Sequence, residues 1–250
     1  MTGDEYIELV LARHEYKLNL ITALARGHVV QELEKWANGN QNRIIPIGSV
    51  AKGTAISGTT DIDLFIALKT TTPHNLQDIY ERLFRWSQAA GWNPKRQNVS
   101  IGIQFAGIKM DLVPGKLQEG MVYYHSLWKN KQHTWTQSAP EIHIDKVVES
   151  NRQREIRAIK IWRKNHGLDF PSFYLELAVI RALSGCMYGL ANNVHRAMGW
   201  IADHLETAAI EDPSNTANIV SDDLSAAEKK TIATQAAKSY TEPGWGKTLW

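Results

Sequence analysis

The chain contains 250 residues, of which 43% are hydrophobic and 22% are charged, a balance typical of soluble globular proteins that excludes extensive disorder. Its 28 Lys and Arg residues nearly match its 26 Asp and Glu residues, and this formal net charge of +2 argues against non-specific coating of nucleic acid. The single cysteine, Cys186, excludes an internal disulfide and a cysteine-rich zinc module, and we expect no disulfide-linked partner. The sequence shows no apolar leader and no apolar run of about 20 residues, which predicts a cytoplasmic protein without membrane contact.

Helical and strand patterns alternate in the first half of the chain. Apolar residues at helical spacing predict one helix from Asp4 to about Trp36, and the apolar run Arg43–Ile47 predicts a short strand. A second strand is predicted over Asp61–Leu68, where aspartates alternate with apolar residues. The spacing of apolar residues in Asn75–Ala90 predicts an amphipathic helix.

Two further strand patterns follow this helix. Val99–Phe105 and Ile108–Val113 alternate with a period of two residues and flank Ala106-Gly107, which predicts a β-hairpin. We expect Pro114 to end the second strand, because proline lacks the N–H group that a central strand donates. Residues 115–140 are polar and aromatic and carry no pattern that assigns an element.

The second half of the chain is predicted to be helical. Helical patterns cover Ile144–Lys164, Pro171–Leu190, Val194–Thr207 and Ser225–Ser239, with a loop at Asp212–Asp223. We therefore predict a mixed α and β domain over residues 1–142 and a helical lobe over residues 143–250.

Three aspartates carry the strongest chemical signal. Asp61 and Asp63 are two residues apart in a predicted strand, so both side chains point to the same face. Asp111 lies in a second strand between Met110 and Leu112. If the two strands are neighbours, three carboxylates converge, and their mutual repulsion requires cations such as Mg²⁺. Alternating aspartates also occur on the solvent face of edge strands, but the third aspartate and the preceding Gly-Ser turn favour a metal site.

The turn Gly48-Ser49 has the features of a phosphate-binding loop. It lies where a predicted strand meets a short helix, glycine allows a phosphate to approach the backbone, and Ser49 adds a hydroxyl donor. Together with the aspartates, this turn indicates phosphoryl transfer assisted by two metal ions.

These motifs resemble those of the nucleotidyltransferase superfamily that includes DNA polymerase β. The residues that carry the resemblance are Ile47-Gly48-Ser49, Gly53-Thr54, Asp61-Ile62-Asp63 and Met110-Asp111-Leu112. The helical half resembles the branch of oligoadenylate synthetases, cyclic GMP–AMP synthase and their bacterial relatives, the CD-NTases, through Arg157-x-x-Lys160-x-Trp162, Pro171-Ser172-Phe173-Tyr174-Leu175-Glu176 and Asp212-Pro213-x-Asn215-x-x-Asn218. Archaeal CCA-adding enzymes share much of this second set.

The resemblance implies an α+β fold of two lobes, a mixed sheet with helices followed by a helical lobe, and a two-metal mechanism. It implies that Asp61 and Asp63 bind two Mg²⁺ ions, for which Mn²⁺ can substitute. Asp111 would complete one metal site and act as the base toward the acceptor hydroxyl. The triphosphate would be held by Gly48, Ser49, Lys160 and Ser172.

Three residues of the helical half have competing interpretations. Lys160 belongs to a basic stripe with Arg154, Arg157 and Lys164, which either faces a ligand or is a solvated cationic face. Ser172 follows Pro171 at a predicted helix start, where its hydroxyl either caps the helix or binds phosphate. Tyr174 either stacks on a nucleobase or belongs to the hydrophobic core.

The sequence and the resemblance together predict an enzyme that makes a cyclic or linear oligonucleotide second messenger from NTPs, with ATP favoured, as bacterial relatives do in antiphage signalling. The alternative is nucleotide transfer to an RNA or tRNA 3′ end, in which case RNA is a partner. The near-neutral charge disfavours this alternative. A catalytically silent binding module is a third hypothesis, which the intact carboxylates disfavour.

Overall fold

The computed structural model describes residues 1–58 and 61–250. They form two compact units: a sheet unit of residues 17–51 and 61–144, and a helical unit of residues 1–16, 52–58 and 145–250. The N-terminal residues and residues 52–58 therefore cluster with the helical half rather than with the predicted domain 1–142. Ile7, Val10 and Ile56 explain this assignment, because all three are buried in the helical core. No helix among the described residues is both long and apolar enough to cross a bilayer.

Among the residues that the structure describes, the sheet unit contains a mixed sheet of seven strands. The strands are β1 (Gln41–Ile47), β2 (Ile62–Leu68), β3 (Lys95–Arg96), β4 (Ile101–Phe105), β5 (Ile108–Leu117), β6 (His125–Lys129) and β7 (Thr134–Ser138). The strand order is β1-β2-β5-β4-β3, and β6 pairs with both β5 and β7. Strands β2 and β5 run parallel, and the other pairs are antiparallel. Strands β6 and β7, which the sequence analysis did not assign, extend the sheet beyond the predicted hairpin.

Helices cover one face of this sheet. They are α2 (Leu20–Ala37) and α4 (Leu76–Ala89), and the four-residue α3 (Gly48–Ala51) follows β1 directly. Val29, Leu33 and Leu83 from the two long helices pack against strand residues such as Leu64 and Leu112. This hydrophobic layer fixes the strands that carry Asp63 and Asp111.

The predicted hairpin is confirmed, but Pro114 does not end its second strand. Ala106 and Gly107 adopt φ angles of 50° and 77°, the left-handed conformations that a tight hairpin turn requires. Strand β5 continues through Pro114, which is paired with Ile66 of the parallel neighbour. On its other side β5 is paired with β4 as far as Leu112 and with β6 only from residue 116, so Pro114 falls where no N–H donor is needed.

The helical unit is built around one apolar core. Its helices are α1 (Gly3–Arg13), α6 (Gln153–Asn165), α7 (Ser172–Ala182), α8 (Leu190–His204) and α9 (Ala226–Thr241). Helix α5 (Pro140–Val148) crosses the sequence boundary between the two units at residue 145. The predicted loop at 212–223 contains part of a hairpin made of β8 (Glu211–Asp212) and β9 (Asn215–Ile219). Trp162, Tyr174 and Met198 are fully buried in this core.

The predicted helix from Asp4 to Trp36 is two helices in the structure. Helix α1 ends at Arg13, and α2 starts after Asn19, whose side chain accepts a hydrogen bond from the Thr22 N–H. Between them Glu15 forms an isolated β-bridge with Ile56. Asn19 supplies a helix start that apolar periodicity does not reveal, because N-capping depends on one polar side chain.

Candidate active site

The sheet places two of the predicted aspartates side by side. Asp63 lies on β2 directly opposite Asp111 on the parallel strand β5. Both side chains are half-buried, and parallel register directs paired residues to the same face of the sheet. The strands that carry Asp63 and Asp111 are therefore neighbours, which was the condition for the predicted convergence.

Gly48 lies against the carboxylate of Asp63. It has a φ angle of +65°, and a Cβ atom at this position would lie 1.8 Å from Asp63 Oδ2. Any side chain would therefore collide with the carboxylate and strain the backbone. Because Gly48 has no side chain, the turn at Gly48-Ser49 can contact the Asp63 carboxylate, and this contact requires glycine. We call Asp61, Asp63 and Asp111 together the carboxylate edge.

The third aspartate, Asp61, acts electrostatically on Asp111. Asp61 is exposed and directly precedes β2. Burial raises the pKa of Asp111, the negative charge of Asp61 raises it further, and a hydrogen bond from Gln97 opposes both effects. Among the described residues, no group of three or more His, Cys, Asp or Glu side chains is placed so that it could hold a metal ion, so the predicted convergence of all three aspartates is not observed. The repulsion between Asp61 and Asp111 is the kind of charge interaction that a bound cation would relieve.

Gln97 is a neighbour of this site that the sequence analysis did not identify. Its side-chain Nε2 donates to Asp111 Oδ1 at 2.9 Å, and Ser100 Oγ donates to its Oε1 at 2.7 Å. No sequence signal indicates this contact, because Gln97 reaches Asp111 only through the pairing of β3, β4 and β5.

In the helical unit, Lys160 lies in a buried charged cluster. Its Nζ donates to Glu176 Oε1 at 2.6 Å and to Thr54 Oγ1 at 2.9 Å, and only 2% of the residue is exposed. Lys52 Nζ donates to the other oxygen of Glu176 at 2.9 Å. We call these four residues the Glu176 cluster. The ammonium of Lys160 is therefore held by protein groups, and a phosphate contact would require it to leave Glu176.

The pKa values of the Glu176 cluster follow from two cations sharing one anion. Burial alone would raise the pKa of Glu176, but the charges and hydrogen bonds of Lys52 and Lys160 outweigh burial and lower it to about 2. Burial lowers the pKa of Lys160 despite the opposing attraction of Glu176. Lys52 was not singled out from the sequence, and Thr54 was named only as part of the Gly53-Thr54 motif. For Lys160, the flanking Ile156, Ile159 and Ile161 were a sequence signal of burial.

The predicted basic stripe is not a uniformly solvated face. Arg154 pairs with Glu8, and Arg157 is half-buried, which lowers its pKa. Lys164 is exposed and donates to the carbonyl oxygen of Ser57 at 3.2 Å. The members of the stripe thus differ in burial, and only Lys160 belongs to the Glu176 cluster.

The structure contradicts one of the two interpretations offered for Ser172 and one of the two offered for Tyr174. The Ser172 hydroxyl accepts a hydrogen bond from Arg163 at 3.1 Å, and the start of α7 has no side-chain cap, so the capping interpretation is wrong. Tyr174 is 0% exposed, and its hydroxyl donates to the Leu205 carbonyl oxygen at 3.3 Å. This burial contradicts the prediction that Tyr174 stacks on a nucleobase, because an enclosed ring has no face available to a ligand.

Comparison with known sequences gives one distant relative. No protein-family model matches the chain. The chain is 24% identical over 161 residues to a cyclic AMP-AMP-AMP synthase of Escherichia coli (strain MS 115-1), a match that covers 56% of this chain. The match covers 50% of the relative, so the chain spans about half the length of that protein.

Comparison with solved structures gives similar folds over nearly the whole chain. E. coli MS115-1 CdnC, solved with ATP, matches with a TM-score of 0.75 and 19% identity over 99% of this chain and 95% of that one. The same protein in a complex with HORMA-deltaN matches with a TM-score of 0.74 and 18% identity, over 98% and 94% of the two chains. The Bradyrhizobium diazoefficiens CD-NTase CdnG with GTP matches with a TM-score of 0.79 and 14% identity, over 96% and 91%. The chain therefore has the α+β fold of these solved CD-NTase structures.

Proposed function

We propose that this chain is a nucleotidyltransferase that uses divalent cations to join NTPs into a cyclic or linear oligonucleotide. One observation carries the proposal. Asp63 and Asp111 are in register on adjacent parallel strands, and the Gly48 backbone contacts the Asp63 carboxylate. Such an arrangement, next to a turn without a side chain, would accommodate two metal ions and the phosphates that they bind.

The residues at this edge fit Mg²⁺, with Mn²⁺ as a substitute. Asp61, Asp63 and Asp111 offer hard oxygen ligands, and the raised pKa of Asp111 reflects unrelieved burial and repulsion by Asp61. These three residues would hold the ions. When bound, the ions would supply Lewis-acid stabilisation of phosphate charge.

The chain's own groups would then orient the reactants. Gly48 would leave room for the triphosphate, and Ser49 would donate its hydroxyl to a phosphate oxygen. Asp111 would accept the proton of the attacking hydroxyl, which is the role of a general base. Ser172 remains a proposed phosphate ligand. Lys160 could bind phosphate only by giving up its contacts in the Glu176 cluster, so we do not assign it this role.

The preferred substrate under this proposal is ATP, and the product is an oligoadenylate that serves as an antiphage signal. Support comes from the distant relative, whose name specifies cyclic AMP-AMP-AMP synthesis, and from the ATP present with CdnC. A reduction of phage plaques by wild-type protein, absent with Asp63→Asn, tests the signalling role.

The decisive experiment incubates the purified chain with each of the four labelled NTPs, in Mg²⁺ and in Mn²⁺, and resolves the products by chromatography. We expect a small nucleotide product from ATP without added RNA. Asp63→Asn keeps the size of the side chain but removes a metal ligand, and it should lower the rate at least about 10³-fold. Asp145→Asn, an exposed position on α5, is the matched control and should retain the wild-type rate.

Two results would contradict the proposal. Near-native turnover by folded Asp63→Asn would mean that the carboxylate edge is not the reaction centre. Label that appears only on RNA 3′ ends would show RNA tailing instead of signal synthesis.

A further inference from the structure

The turn that follows β3 brings Gln97 to the carboxylate of Asp111. The side-chain Nε2 of Gln97 lies 2.9 Å from Asp111 Oδ1. Gln97 itself is exposed, so burial does not explain this contact. Holding a long, exposed side chain in one conformation costs rotamer entropy. Contacts with other groups must offset this cost if Gln97 is to stay at Asp111.

Tyr80 restrains the backbone of this turn. Its ring is 0% exposed on α4, and its hydroxyl lies 2.8 Å from the Gln97 carbonyl oxygen and 3.0 Å from that of Ser100. The Gln97 N–H also donates to the Ser100 carbonyl oxygen at 3.0 Å. A buried phenol on a core helix thus fixes the start and the end of the turn.

Ser100 determines which way the amide of Gln97 faces. The Ser100 hydroxyl, 6% exposed, donates to Gln97 Oε1 at 2.7 Å. An ionised carboxylate accepts hydrogen bonds only, so the amide nitrogen is the end that can face Asp111. Both contacts select the same orientation of the amide, with the donor aimed at the carboxylate.

Gly102 provides the space that this contact occupies. It is the partner of Asp111 across the β4–β5 pair. A Cβ atom at position 102 would lie 2.7 Å from Gln97 Nε2 and 3.2 Å from Asp111 Oδ1. Any other residue at position 102 would displace the amide of Gln97, so the contact between Gln97 and Asp111 requires glycine at this position of β4.

We propose that Gln97 is a positioning residue for nucleotidyl transfer, which holds Asp111 Oδ1 so that the other carboxylate oxygen faces the reactants. This inference rests on the function proposed above. A neutral amide can orient the carboxylate without neutralising it, whereas a lysine or arginine at the same place would compete with a metal ion for its charge. Gln97 therefore fixes the direction of Asp111 and keeps its charge available.

The experiment compares Gln97→Met with Gln104→Met in the full chain. Methionine keeps the length of glutamine but cannot donate a hydrogen bond, and Gln104 is an exposed glutamine on β4. For Gln97→Met we expect a kcat about tenfold lower and a Kd for Mn²⁺ about tenfold higher, measured by electron paramagnetic resonance with a non-hydrolysable ATP analogue present. The KM for ATP should stay within about twofold, and Gln104→Met should match the wild type in both measurements.

A double-mutant cycle with Ser100→Ala separates positioning from simple structural damage. Because Ser100 is proposed to act through the amide of Gln97, Ser100→Ala should lower kcat about threefold in the wild-type background and have no further effect in Gln97→Met. Equal effects of Ser100→Ala in both backgrounds would overturn the inference, since Ser100 would then act independently of Gln97.

The outcomes distinguish this inference from the proposed function. If Asp111→Asn is inactive while Gln97→Met has wild-type kcat and Mn²⁺ affinity, Gln97 has no positioning role and the function stands. If wild-type protein transfers no nucleotide, or Asp111→Asn is fully active, the function fails, and the inference fails with it.

Discussion

The two units of this protein contain carboxylates in opposite surroundings. In the helical unit, Glu176 is 1% exposed and its two oxygens accept hydrogen bonds from Lys52 and Lys160. In the sheet unit, Asp111 is half-buried, accepts a hydrogen bond from the neutral amide of Gln97 and is repelled by Asp61. The pKa of Glu176 is lowered and that of Asp111 is raised.

From this contrast we infer different roles for the two groups of charges: the Glu176 cluster would stabilise the fold, and the carboxylate edge would serve the reaction. A buried carboxylate that is paired with cations contributes to folding only while the pairs are intact, because an unpaired buried charge is costly. A group of carboxylates that repel one another does not favour the fold, and such sites are typical of functional centres where an external ligand completes the charge balance. We therefore expect substitutions at the carboxylate edge to change activity and those in the Glu176 cluster to change stability.

The largest effect is expected for Asp111→Asn. The substitution removes a proposed metal ligand and base, so the rate should fall at least about 10³-fold, equivalent to about 4 kcal/mol of transition-state stabilisation. The melting temperature should stay the same or rise, because the repulsion by Asp61 disappears. Product formation and thermal unfolding measured on the same preparation check both parts, and a clear loss of stability would remove the contrast between the two regions.

Glu176→Gln should show the reverse behaviour. The amide leaves two buried ammonium groups without an anion, which costs about 3–5 kcal/mol of unfolding free energy. Urea unfolding at neutral pH measures this loss, and Glu141→Gln, whose carboxylate pairs with Arg43 in the sheet unit, tests whether the cost is specific to the helical unit. A change below about 1 kcal/mol in Glu176→Gln would mean that the Glu176 cluster does not stabilise the fold.

Acid should weaken the same cluster in the wild-type protein. The pKa of Glu176 is about 2 in the folded state against an ordinary 4.5, so the folded state binds this proton less readily than the unfolded state. Its contribution is therefore complete above about pH 4.5 and is lost as the pH falls toward 2, for a total of about 3 kcal/mol. Urea unfolding at pH 5 and pH 3 should show a larger loss in the wild type than in Glu176→Gln, and equal losses would exclude Glu176 as the source.

The sequence analysis identified features that depend on neighbouring residues in the chain, and it missed features that depend on contacts between distant residues. Asp61, Asp63 and Asp111 were singled out because strand alternation and motif spacing are properties of neighbouring residues, and the register of β2 and β5 places Asp63 opposite Asp111. The Glu176 cluster joins residues more than 100 positions apart, from Lys52 to Glu176, so it arises from packing that no window of sequence contains. Pro114 was misjudged for a similar reason, since strand pairing on each side of β5 decides whether an N–H is needed.

The smallest effect within this comparison is expected for Lys160→Met. Because Lys52 still pairs with Glu176, the variant retains one cation and one anion, although it loses the hydrogen bonds of Lys160 to Glu176 and Thr54. We expect a loss of about 1–2 kcal/mol, clearly less than for Glu176→Gln. The KM for ATP should change less than about threefold at a temperature where the variant is folded, because the ammonium is committed to the protein.

Lys164→Ala is the control, at an exposed position one turn further along α6. It should change the free energy of unfolding by no more than about 0.5 kcal/mol and leave the KM for ATP unchanged. A tenfold rise in KM for Lys160→Met alone would instead indicate that the ammonium leaves Glu176 to bind the triphosphate, and the Glu176 cluster would then be part of the functional site.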